Sequence, residues 1–158
     1  MTADVNYLRA AWRFAQFVQN MCVSKSLGRP TAIDASHKAD LVTQLRTIYL
    51  DFDPPFNSYD SSRFERYPLR LTRQIISLCS NFFFALTILC MEEDTSTGVT
   101  CDVFGALDAS HEGLSAFFAL SRLFPGQINS WGVAQTRAYT QAVSHSLLVS
   151  VLWDVANI

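Results

Sequence analysis

Four arginines fall at positions 63, 66, 70 and 73, inside the run SSRFERYPLRLTRQ. Steps of three, four and three would set them on one face of a helix. A guanidinium group offers a planar fork of donors that fits phosphate oxygens. Phe64, Tyr67, Leu69 and Leu71 alternate with the arginines, and interleaved aromatic rings can stack on the bases of a single strand. Arg63, Arg66, Arg70 and Arg73 are therefore candidate contacts to nucleic-acid phosphates. Two other readings stay open. The arginines pair with carboxylates of a neighbouring copy, or they form a solvated face that Asp60 and Glu65 partly neutralise.

Two further clusters carry charge. Glu92, Glu93 and Asp94 stand side by side in MEEDT and repel one another. If assembly crowds them, they must take up protons or bind a cation, so they are a candidate intersubunit carboxylate switch. The plainer alternative is a solvated loop. In LDASHE, Asp108, His111 and Glu112 share a helix face, which reads as a solvated face rather than a metal site. His37 reads as a first-turn surface residue and His145 as a core histidine. G-x-G-x-x-G, Walker, H-E-x-x-H and G-x-S-x-G patterns are absent, so neither an enzyme nor a cofactor is expected.

The elements that hold these residues read as helices. NYLRAAWRFAQFVQNMCVS has helical apolar spacing and ends at Gly28 and Pro30. Asp34 or Ser36 can cap a second helix with Leu41, Leu45, Ile48 and Tyr49 as its buried stripe. DFDPPFNSYDSS is a loop. Pro68 suits the first turn of a third helix that runs to about Cys90. This start divides the arginines, leaving 63 and 66 on the incoming loop and 70 and 73 on the helix. Asp102 can cap a fourth helix that Pro125-Gly126 ends, and a fifth spans about 131–153. The whole chain, 1–158, reads as one all-α domain: an up-down four-helix bundle with an added C-terminal helical segment and irregular loops.

Composition constrains the surface. Hydrophobic residues make up 49% of the 158 and charged residues only 16%, where about a quarter is usual. Much of the surface should therefore be covered by something. Residues 1–90 carry a charge of +3 and residues 91–158 a charge of −5. A negative total argues against indiscriminate nucleic-acid binding but leaves room for a local basic track. Gln74 to Met91 is uncharged and reaches a spanning length, yet its polar start favours a buried helix over a membrane segment. Asp4, Arg9 and Arg13 interrupt any early apolar run, so no secretory leader is expected. The four cysteines lack metal spacing and read as buried thiols of a reducing compartment.

Taken in order, the chain resembles the coat proteins of rod-shaped positive-strand RNA plant viruses of the tobamovirus type. AAWRFAQFVQNMCVSKSLG resembles their first helix and DLVTQLRTIYLDF their second. PFNSYDSSRFERYPLRLTRQIISLCSNFF resembles their loop and long third helix. GALDASHEGLSAFFALSRL resembles the start of their fourth helix, and SVLW their closing Val-Trp. The resemblance implies a helical bundle whose many copies stack into a rod around single-stranded RNA, with residence in a virion and the host cytoplasm. It also implies carboxylate clusters that act as a disassembly switch. The family's Thr-Arg-Asn-Arg step after the third helix is ALTILCMEED here, which leaves Arg122 and the upstream arginines as the basic contacts. The competing class is a small helical adaptor or membrane-associated protein that presents its arginines to a partner.

Overall fold

The computed structural model describes residues 3–26, 35–91, 101–125, 137, 139, 140 and 143. Among these the chain is all-α, with α1 (Ala3–Ser26), α2 (Ala35–Leu50), α3 (Leu69–Met91) and α4 (Val103–Leu123). A single 3-10 helix spans Ser61–Arg66, and no strand occurs among the described residues. Gly28, Pro30 and Asp34 lie outside them, as does most of the stretch expected to form a fifth helix. The described positions 137, 139, 140 and 143 of that stretch are helical.

α3 is the centre of the fold and packs against α1, α2 and α4. Its buried side chains include Ile75, Ile76, Leu78, Cys79, Phe82, Leu86, Leu89 and Cys90. It is long and apolar enough to cross a membrane, but 61% of its most apolar window is buried inside the protein. That burial fits the core helix expected from the sequence. Leu45 and Tyr49 of α2 are buried, with Leu41 and Ile48 packed beside them. Tyr49 stacks on Phe82 with ring centroids 4.1 Å apart and lies 3.3 Å from the Cys79 sulfur. Burial raises the Tyr49 phenol and pushes the Cys79 thiol up to about 12. Ser36 does not cap α2, because the helix already includes Ala35.

Asp102 caps α4 as expected, its carboxylate accepting from Gly105 N at 2.9 Å. The Asp102 N–H donates to the Cys90 carbonyl at 2.9 Å. α4 thus begins where α3 stops and runs back along it. The same carbonyl accepts from Lys38 Nζ at 3.1 Å and from Cys101 Sγ at 3.3 Å. Lys38 is buried, and its ammonium sits at the negative end of the α3 dipole.

The α3–α4 seam is narrow because α4 turns small residues toward α3. Ala106, Ala109, Ser110, Gly113, Ala116 and Ala119 are all buried. A Cβ at Gly113 would collide with the ring of Tyr139. Tyr139 is wholly buried and donates to the Ser80 carbonyl at 2.7 Å. Its ring meets Phe84 edge-on. The Tyr139 side chain thus touches α3 and α4 at once.

Candidate nucleic-acid interface

The segment before α3 is organised by Asp60. One carboxylate oxygen accepts from Ser62 N at 3.0 Å and Ser62 Oγ at 2.6 Å. The other holds Arg63 Nε at 2.8 Å. The Ser62 hydroxyl bond, with the backbone bond and Arg63 behind it, holds the Asp60 carboxyl below its ordinary range. Three residues make one turn of a 3-10 helix, so Arg63 and Arg66 lie on one face of it. Tyr67 then takes extended angles, φ −106 and ψ 148, as a residue before proline must. α3 starts immediately after Pro68.

The four arginines are not equivalent. Arg63 is tied to Asp60, and Arg70 NH2 lies 3.1 Å from Asp4 at the start of α1. Gln74 also donates to that Asp4 oxygen at 2.9 Å, which fixes the first turns of α1 and α3 side by side. Arg66 and Arg73 are exposed and make no ion pair among the described residues. Phe64 is buried and Tyr67 is packed against the core, so the alternating aromatics of the sequence are not displayed to a strand.

Phe64 does something else. Tyr59 packs edge-on against it at 5.6 Å and brings its hydroxyl to 3.5 Å from Ser115 Oγ of α4. Burial raises the Tyr59 phenol, offset in part by the Ser115 hydrogen bond. Between this loop and α4 lies a cleft of 560 Å³ lined by Tyr59, His111, Leu114, Ser115, Phe118, Ala119 and Arg122. That size is ordinary for a ligand cleft. Apart from Tyr59 of the loop and Ala119 of the buried seam, the lining comes from the outer face of α4. Phe118 is 64% exposed and Arg122 is also exposed, with no ion pair among the described residues. A ring and a guanidinium on one open wall can take a base and a phosphate.

The structure therefore places Arg122 in the cleft and brings Arg63 and Arg66 to the adjoining segment. It draws Arg70 toward α1. Tyr59, His111, Ser115 and Phe118 were not singled out for RNA in the sequence, although the steps from 111 to 115, 118 and 122 are helical. Asp108 and His111 are exposed and Glu112 is half-buried. His111 Nδ1 lies 3.9 Å from the Glu112 carboxylate. Glu92, Glu93, Asp94 and His145 lie outside the described residues. No protein-family model, curated protein or solved structure matches this chain.

Proposed function

We propose that this chain is a structural coat subunit that assembles into a helical rod around single-stranded RNA. In this reading the helices form an up-down four-helix bundle with an added C-terminal segment, and many copies associate side by side. One observation carries it: large apolar residues stand exposed on all four helices, in groups on α1 and α4. Val5, Leu8 and Trp12 form a stripe on α1, and Phe104 and Leu107 stand exposed one turn apart on α4. Trp12 is 66% exposed and Phe104 is 82% exposed. Two different sticky surfaces favour head-to-tail contacts, which propagate into open helices unless the rotation closes. The low charged fraction agrees with a surface meant to be covered. For RNA, the supporting features are Arg122 with Phe118 in the cleft, and Arg66 and Arg73, which make no ion pair among the described residues.

Negative-stain microscopy of the purified chain, with an absorbance spectrum of the same sample, tests both halves. Rods with a nucleic-acid absorbance component are expected between about pH 5 and 8. Monomers throughout that range would end the coat reading. Rods free of nucleic acid after expression and after mixing with RNA would end the RNA part alone.

A further inference from the structure

Two thiols meet where the end of α3 lies against the start of α4. The Asp102 N–H donates to the Cys90 carbonyl at 2.9 Å, which makes residues 90 and 101 neighbours across that joint. Ordinary hydrogen-bond and peptide geometry then leaves their Cα atoms about 5–6 Å apart. That is the span a disulfide uses. The Cys101 side chain is turned toward Cys90, with Sγ 3.3 Å from its carbonyl oxygen. The Cys90 sulfur faces the first turn of α4, 3.0 Å from where a Cβ at Gly105 would stand. Neither residue is in a disulfide.

The two thiols differ in access. Cys90 is wholly buried, and burial with the neighbouring Asp102 carboxylate pushes its thiol up to about 11. An outside reagent does not reach it. Cys101 is half-buried, and its hold on the Cys90 oxygen is easily given up. That oxygen also accepts from Asp102 N and Lys38 Nζ. A carbonyl has two lone pairs, and the thiol is the weakest of the three donors.

From this geometry we infer that Cys101 and Cys90 form a modification site for small disulfides of the glutathione class, Cys101 receiving the reagent and Cys90 resolving it. The Cys101 thiolate attacks one sulfur of glutathione disulfide. The S–S bond breaks, and one glutathione leaves as a thiolate that takes up the Cys101 proton. The Cys90 thiolate then attacks the Cys101 sulfur, and the second glutathione leaves and takes up the Cys90 proton. The protein's dithiol is oxidised to one disulfide, and glutathione disulfide is reduced to glutathione. In reduced surroundings both thiols stay open, and an oxidised glutathione pool closes them. The bridge braces the joint of α3 and α4. This inference stands apart from the coat and RNA readings.

Incubation of the folded full-length chain with glutathione disulfide, followed by acid quenching and peptide mass mapping, tests it. The native chain should yield peptides joined through Cys90 and Cys101, with no lasting glutathione on Cys101. C90S should stop at glutathione on Cys101, and C90A should do the same without a buried hydroxyl. C101S should leave Cys90 reduced, and its serine can keep the hydrogen bond to the Cys90 oxygen. The bridged native chain should melt about 5–10 °C above the reduced one, as closure of so short a loop predicts, and dithiothreitol should reverse the gain. A Cys101 that stays unmodified in both the native chain and C90S overturns the entry site. Glutathione that stays on Cys101 of the native chain, or a bridge that forms only in urea, overturns the resolving role of Cys90. A bridge that leaves Tm unchanged overturns the brace.

Discussion

Replacing Gly113 with alanine separates local helix preference from tertiary packing. In an exposed helix the change would stabilise by about 1 kcal/mol. Here the new Cβ would stand 2.5 Å from Tyr139 Cε1 and 2.8 Å from its hydroxyl oxygen. Both distances are far inside van der Waals contact, and a ring that is wholly buried and bonded to Ser80 has little room to retreat. Overpacking of this kind costs about 1–3 kcal/mol. If Tyr139 is expelled, the loss approaches the 3–5 kcal/mol, roughly, of an aromatic truncation. Gly113→Ala should therefore destabilise by about 2 kcal/mol, or roughly 4–8 °C in Tm for a chain of this size. Tyr139→Ala alone should cost about 3–5 kcal/mol. In that background Gly113→Ala should change sign and restore up to about 1 kcal/mol, because the obstacle is gone. Urea unfolding followed by circular dichroism measures all four corners of this cycle. A Gly113→Ala protein more stable than the parent, or additive single changes, would refute the seating of Tyr139 in the notch.

Two other outcomes follow from buried groups. Lys38→Ala removes a charged donor from the Cys90 carbonyl and a cation from the end of α3, and should cost about 2 kcal/mol in urea unfolding. Burial pushes the Cys79 thiol up to about 12 and Cys90 up to about 11, from an ordinary value near 9. The neutral thiols favour the folded state, so this contribution is intact below about pH 9 and is lost as pH climbs toward 11 and 12. A Tm that holds to about pH 9 and then falls, with Cys79 and Cys90 closed to thiol reagents until unfolding, is the expected result.

Local signals were legible in the chain. Asp102 ahead of VFG reads as a cap, and the structure has its carboxylate on Gly105 N. Pro68 reads as the entry to a helix, and α3 starts at Leu69. Asp60 near Arg63 reads as partial neutralisation, and they form an ion pair. The pairing of Arg70 with Asp4 was not legible, since it joins two helices distant in sequence. Nor was the fate of Phe64. An aromatic between arginines can face a ligand or the core, and only the placement of Tyr59 against α4 decides for the core. α4 misleads in a different way. Its large apolar residues look like the core face, yet the small ones fill that face because α3 comes close. Phe104, Leu107 and Phe118 are left outside. The cleft was hidden for the same reason.

The ion pairs bear on how RNA would be held. Arg9 and Arg13 are engaged by Asp53 and Asp51, and Arg63 and Arg70 by Asp60 and Asp4. Of the five arginines proposed for RNA, Arg66, Arg73 and Arg122 remain without an ion pair among the described residues. Three phosphate contacts on a single strand give a salt slope of about −2, a weak hold for one subunit. A weak site becomes strong when many copies engage one strand, because each bound subunit raises the effective concentration of the next. Assembly through the apolar stripes and binding through the cleft would then be linked. RNA should lower the concentration at which rods form, and rods should retain RNA at salt concentrations that strip it from single subunits. The low charge of this chain would then be compatible with RNA packaging, since repetition along the proposed rod would supply the affinity that each subunit lacks.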